Sequence, residues 1–235
     1  MTGVQTCALP ISQKLQAWKD IARKLVHEIK NPLTPIRLSA ERIYRRYTEG
    51  HQDLDTIIRQ GTTTIVEEVN VLMRLLSEFS RFARLPEIQP EYQSLNTIVE
   101  NCVDFFKGHE KIRFIIELDQ SMPDMYVDRG LIRQSLTNLL QNAIDASNDE
   151  GDIEVRTLYV DDHQNKLAKI IIRDHGIGIK EDDLEIVFEP TFSTKEHGTG
   201  LGLTIVEKII IEHGGRIYCN CEYGNGSEFT IELPV

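Results

Sequence analysis

The sequence predicts an α+β chain: a helical hairpin that dimerises into a four-helix bundle, followed by a two-layer α/β sandwich. Three observations carry this. From Gln13 to about Arg84, apolar residues recur at spacings of three and four, the mark of long amphipathic helices. Leu85–Tyr92, reading LPEIQPEY, then holds two prolines that end the pattern. Beyond it, short apolar runs alternate with helical stretches without strict β-α-β order, which favours a layered sandwich over a doubly wound sheet.

The chain has 235 residues, enough for one large domain or two small ones. Its net charge of −11 argues against a nucleic-acid groove, where a basic stripe supplies the affinity. Four cysteines are too few and too scattered for a disulfide framework, and Cys219 and Cys221 lack the C-x-x-C spacing. They are expected to be reduced. No run approaches about 18 apolar residues, so no span is expected. Residues 1–12, MTGVQTCALPIS, resemble a translated sequencing-adapter read-through and are set apart from fold reasoning. On that reading the natural protein continues upstream. The expected division is 13–85 helical, 86–93 linker and 94–235 sandwich.

The first helix carries Leu15, Trp18, Ala22, Leu25, Ile29, Pro32, Ile36, Ala40, Ile43 and Tyr47 on its apolar seam. His27 falls about 200° from Leu25 and from Ile29, so it faces away from that seam. Pro32 is expected to kink the helix just after it. Glu49, Gly50 and His51 mark a turn. A second helix follows to about Arg84, with Leu54, Ile58, Gly61, Ile65, Val69, Leu72, Leu76, Phe79 and Ala83 in one near-heptad stripe. Two such helices bury little alone, so closure through a homodimer is expected; the competing arrangement packs the hairpin on the next domain.

In the second part, helices are expected over 95–106, 128–147, 184–188 and 201–212. Strands are expected over 112–118, 153–160 and 167–173, with a closing hairpin of 216–221 and 227–233.

His27 has the side chain whose ordinary pKa lies near neutrality, so it can serve as a neutral nucleophile. Glu28 beside it can hold the imidazole or take its proton. A zinc helix of the H-E-x-x-H type fails, because Asn31 occupies the fifth position. Downstream, four clusters follow in order. Asn138 and Asn142 lie one helical turn apart, and an amide oxygen is a neutral hard ligand suited to Mg²⁺ shared with phosphates and water. Asp174-His-Gly176-Ile-Gly178 sits at a strand end, where a carboxylate accepts from an exocyclic amino group as on adenine. Phe188 to Lys195, including Phe192, has the composition of a mobile lid. Gly198-Thr199-Gly200-Leu201-Gly202 opens a helix, where backbone N–H groups favour phosphate. It lacks the G-K-[ST] ending of a Walker loop. Each cluster alone also fits a bland role: a solvated His-Glu pair, a capping asparagine or a plain glycine turn.

Taken together, in this order, the clusters resemble the catalytic core of a sensor histidine kinase. That family joins a dimerising phosphoacceptor domain to an ATP-binding domain of the Bergerat type. The resemblance covers Gln13 to Val235. HEIKNPLTPI, SAERI and EFSRFARLPE are most similar to the nitrogen-regulation, NtrY-like branch. It implies that His27 is phosphorylated from ATP, with Glu28 as acid/base partner, and that the phosphoryl group passes to an aspartate of a response regulator. It implies a role for Asn31 in dephosphorylating that partner. It also assigns Mg²⁺ to Asn142, phosphate to Asn138, adenine to Asp174, and the closing loop to Phe192, Lys195, Gly198, Thr199, Gly200, Leu201 and Gly202. Exposed Arg37, Arg42 and Arg45 are expected to set partner choice. The departure is Thr191, where the family carries an aromatic. The expected setting is a cytoplasmic fragment of a protein anchored in the bacterial inner membrane. Two alternatives are an ATP-driven conformational machine of the same nucleotide fold and a non-catalytic dimeric scaffold. The first carries a glutamate where this chain has Asn138; the second has no use for the nucleotide clusters.

Overall fold

A computed structural model describes residues 11–83, 87–148, 150–162, 165–190, 192–193, 200–221 and 223–235, with the first helix's side chains described from Val26 onward. The chain divides into two compact units, Met1–Leu85 with Ser193–Leu201, and Pro86–Phe192 with Gly202–Val235.

In the first unit, α1 (Ile11–Thr48) and α2 (Leu54–Ala83) form a helical hairpin. The α1 helix runs on through both Pro32 and Pro35. Its end is a glycine stop. Gly50 takes φ +63°, the His51 N–H donates back to Arg46 O and the Gly50 N–H to Tyr47 O, which satisfies carbonyls the helix leaves open. Gly61 lets the two helices approach, since a Cβ there would stand 2.7 Å from Ile43 Cδ1. Ile57, Gly61 and Leu75 of α2 and Pro32 of α1 are buried. Much of the apolar stripe is not: Ile58, Val69 and Leu76 remain exposed, as do Val66 and Met73 beside them.

In the second unit a five-stranded sheet has the order β2-β4-β5-β7-β6, formed by Ile112–Glu117, Gly151–Asp162, Asn165–Asp174, Ser227–Pro234 and Arg216–Cys221 respectively. Strands β2 and β4 pair in parallel; all other neighbours are antiparallel. One face alternates Ile153, Val155, Ala168, Ile170, Ile172, Phe229, Ile231 and Leu233, all buried. Helices α3 (Leu95–Phe106), α4 (Arg129–Ala146) and α6 (Gly202–Glu212) supply the rest of that core through Leu95, Val103, Ile132, Leu136, Ile144, Val206 and Ile210. A layer of helices on one mixed sheet is the expected sandwich. A short helix, α5 (Glu181–Leu184), precedes the expected 184–188 position. Part of the expected linker is ordered as strand β1 (Glu91–Gln93), paired with β3 (Met125–Val127). Three-residue strands carry too few residues to show alternation, so neither is visible as a pattern.

On the far face of the sheet, Glu232 is buried between cross-strand neighbours Lys169 and Arg216. Lys169 Nζ lies 2.8 Å from its carboxylate, Arg216 pairs with it, and Tyr218 Oη donates at 3.1 Å. Burial alone would raise this carboxyl; the bonds from Lys169, Arg216 and Tyr218 outweigh it and hold the pKa below the ordinary value.

Candidate functional site

His27 is exposed on α1, Glu28 is half-buried and Asn31 is exposed one turn on. Pro32 and Pro35 lack the N–H groups that would bond the carbonyls of Glu28 and Asn31. Thr34 instead donates its hydroxyl to Lys30 O at 3.2 Å. The turn that carries the histidine therefore has a loosened backbone on its C-terminal side.

The nucleotide-type clusters gather around α4. Its N-terminus is capped by Asp128, whose Oδ1 accepts from Gly130 and Leu131, while Oδ2 accepts the Gln89 N–H at 3.0 Å. The Asp128 N–H donates in turn to His213 Nε2 at 3.1 Å, at the end of α6. Midway along α4, Asn138 donates its amide to Gly202 O at 3.3 Å, so it ties α4 to the start of α6. Asn142 lies one turn further along, half-buried.

At the end of α4 the chain meets the end of β5. Asp174 there is 3% exposed. Its Oδ1 accepts from Gly176 N at 2.9 Å and from Ser227 N at 3.3 Å. Burial pushes its pKa above the ordinary value, against the opposing pull of these two bonds. Gly176 passes directly over α4: a Cβ would stand 2.3 Å from Ala146 O, and Ile177 N–H donates to that same oxygen. Gly178 has φ +67°, a left-handed turn that favours glycine. On the other side Gly226, at φ +91°, has room for no side chain, because a Cβ would lie 2.0 Å from Asp174 O.

Of the closing loop, Phe192 and Gly200 are half-buried, Leu201 is buried and Gly200 has φ +68°. Gly202 opens α6. Lys195, Gly198 and Thr199, with the departure Thr191, lie outside the described residues. Thr204 on α6 donates to Phe188 O at 3.0 Å, fixing the start of the lid segment. The fold thus brings together Asp174 with Gly176, and Asn138 with Gly202. Sequence reasoning missed Ala146, Gly226 and Ser227, which act through backbone atoms. The string Gly224-Asn-Gly226-Ser227 ahead of an alternating strand was the available signal.

Among the described residues, no helix is long and apolar enough to cross a membrane. No three His, Cys, Asp or Glu side chains among them gather to hold a metal. A cation here would draw on neutral amides such as that of Asn142, with phosphate and water completing its shell, which fits Mg²⁺ brought with a nucleotide.

Comparison with known proteins agrees with this geometry. Residues 17–88 match the His Kinase A (phospho-acceptor) domain. Residues 127–235 match the histidine kinase-, DNA gyrase B- and HSP90-like ATPase family. The chain is 39% identical over 233 residues to the nitrogen regulation protein NtrY of Azorhizobium caulinodans, covering 95% of this chain and 30% of that protein. It is 31% identical over 227 residues to the signal transduction histidine-protein kinase AtoS of Escherichia coli, covering 95% of this chain and 36% of that protein. It therefore spans about a third of the length of these relatives. Among solved structures, the histidine kinase ThkA in complex with the response regulator protein TrrA matches at 26% identity with a TM-score of 0.70, over 95% of this chain and 63% of that one. The histidine kinase AdeS of Acinetobacter baumannii matches at 25% identity and a TM-score of 0.63, over 88% of this chain and 97% of that one. With a phospho-acceptor domain at one end and an ATPase-type domain at the other, the chain belongs to the histidine kinase family.

Proposed function

We propose that this chain is the catalytic core of a sensor histidine kinase that phosphorylates His27 from ATP and passes the phosphoryl group to a response regulator. The observation that carries the nucleotide half is the buried Asp174 carboxylate. Its Oδ1 is engaged by Gly176 and Ser227, so an exocyclic amino group such as that of adenine would meet Oδ2. A carbonyl in that place, as on guanine, would be repelled. Gly176 seats this strand end against α4 and Gly178 turns the chain beside it, which shapes the place a flat base would take. Asn138 stands beside the first turn of α6, whose N–H groups favour phosphate. Asn142 offers an amide oxygen to Mg²⁺, which when bound neutralises charge on the triphosphate. Phe192, Lys195 and the Gly198–Gly202 loop close over it in this reading.

The acceptor half rests on His27. A ring nitrogen of the neutral imidazole attacks the γ-phosphorus, the bond to the ADP oxygen breaks, and Glu28 takes the proton from the ring's other nitrogen. The phosphoryl group then moves to an aspartate of a receiver domain, and Asn31 orients the water that later removes it. Arg37, Arg42 and Arg45, all exposed on α1, supply partner choice. The unburied stripe Ile58, Val69 and Leu76 supports a homodimer, since a second hairpin would cover it. We divide the chain into residues 13–85, a linker 86–93 and residues 94–235, and set it in a longer protein held at the bacterial inner membrane.

Against a water-activating ATPase stands Asn138, an amide at the position where that class places its base. The test is transfer. Label from γ-labelled ATP on His27 should move to a purified receiver domain encoded beside this kinase, and Asn31→Ala should slow only its later release. Label that stays on the kinase with every such receiver overturns the phosphorelay reading.

A further inference from the structure

Asp128, at the N-terminus of α4, uses both of its carboxylate oxygens. Oδ1 accepts the helix N–H groups of Gly130 and Leu131, and Oδ2 accepts the Gln89 N–H at 3.0 Å. Capping a helix needs only one of them; the other holds the linker. Pro90 biases Gln89 towards extended backbone, and the chain runs on into β1, which pairs with β3 alone in a ladder of three residues. A two-stranded ladder is marginal by itself, so the Gln89 bond and the ladder support each other.

The same residue refers the linker to both helices of the nucleotide-type clusters. The Asp128 N–H donates to His213 Nε2 just past the end of α6, and the other ring nitrogen of His213 lies 2.8 Å from Ile209 O. About 15 Å further along α4, Asn138 donates to Gly202 O at the start of α6. The two helices are thus joined near both ends of α6, and the linker leaves from one of these joints. Burial alone would raise the Asp128 carboxyl. The bonds from Gln89, Leu131 and Gly130, with His213 nearby, outweigh it and hold the pKa below its ordinary value, so both oxygens stay acceptors.

We propose that Asp128 is a positioning residue for phosphoryl transfer: by holding Gln89 it fixes where the linker leaves the second unit and keeps the free linker short. Helix α2 ends at Ala83, so with Gln89 held only residues 84–88 stay free between them. Without that bond the ladder loses its support, and the free segment extends to Ser94, the N-cap of α3. Its length then about doubles, and since effective concentration falls roughly as the −3/2 power of linker length, delivery to His27 falls about threefold. The transfer effect rests on the kinase reading; the bond between Asp128 and the linker does not.

The experiment follows autophosphorylation with γ-labelled ATP in the parent, Asp128→Asn, Gln89→Pro and the double variant. Asparagine caps a helix as well as aspartate does but puts an amide donor where Oδ2 stood; proline removes the Gln89 N–H and leaves Asp128 intact. Both single variants should melt as the parent does. Each should lower the rate at saturating ATP about threefold and leave the half-saturating ATP concentration unchanged. The double variant should fall no further than either single one, because both remove the same bond. Amide exchange at residues 91–93 should quicken in all three. A saturating rate that holds or rises, a shift in half-saturating ATP, losses that multiply in the double variant, or undiminished protection at residues 91–93 overturns the proposal. A parent that forms no phosphohistidine strikes the kinase reading instead, and amide exchange still decides whether Asp128 holds the linker.

Discussion

Asp174 Oδ1 accepts the backbone N–H of Ser227 at 3.3 Å across 53 residues of sequence. The bond joins the end of β5 to the start of β7 and holds a carboxylate in place where burial disfavours its charge. Stability is given up there for a group that the core does not need, as functional sites commonly do.

Asp174→Asn tests this directly. Asparagine keeps Oδ1 for Gly176 and Ser227 but presents an amide N–H₂ where Oδ2 stood. ATP affinity should fall by about 100-fold or more, since a buried polar recognition group is mispaired. Stability should move the other way. The raised carboxyl pKa means the folded state prefers the neutral acid, so the wild type loses stability as pH rises from the ordinary value of 3.8 through the raised one. Denaturant midpoints should favour the Asp174→Asn variant above that window, with the gap closing below it.

Gly176→Ala and Gly202→Ala should separate sharply. At Gly176 the added Cβ would meet the Ala146 backbone at 2.3 Å, whereas at Gly202 nothing lies within 4 Å. The first should destabilise by about 2–3 kcal/mol. The second should be neutral or slightly stabilising, as alanine suits a helix better by about 0.5–1 kcal/mol. Urea midpoints of both variants check the contrast.

Glu232→Gln should cost about 2 kcal/mol, by leaving Lys169 and Arg216 without their shared carboxylate. Because the folded pKa of Glu232 is lowered, its contribution is present above the ordinary 4.5 and lost as pH falls through the folded value. The variant should therefore show a flatter acid limb in a plot of unfolding midpoint against pH.

Val69→Glu with Leu76→Glu should convert the chain from dimer to monomer in analytical ultracentrifugation. Both side chains are exposed in a single hairpin, and charge there would be buried on closure. Affinity for ATP should be unchanged, because Asp174 and the groups that bond it belong to the second unit, which has its own core.

His27 was legible because its spacing from Leu25 and Ile29 set its direction, and a helix converts spacing into orientation. Asp174 and Gly176 stood out by residue type and order, and the fold joins them by a hydrogen bond. Ser227, Gly226 and Ala146 were not, for they contribute backbone N–H, carbonyl and empty volume, which side-chain identity does not encode. The strand order β2-β4-β5-β7-β6, with β6 at an edge, is likewise a property of long-range pairing. In sequence Glu232 is one polar residue in an alternating strand, and only its cross-strand neighbours Lys169 and Arg216 make it a buried charge cluster. Pro32 and Pro35 both lie inside α1, which continues as one helix through them.

The fate of the γ-phosphoryl group decides whether His27 and the Asp174 pocket belong to one enzyme. Incubation with γ-labelled ATP and Mg²⁺, followed by acid and alkali treatment, should give a label that is acid-labile and alkali-stable. It should vanish in His27→Gln, which still binds ATP, and in Asp174→Asn, which does not. Label of the same lability that persists in His27→Gln, or ATP hydrolysis undiminished there, would contradict the assignment.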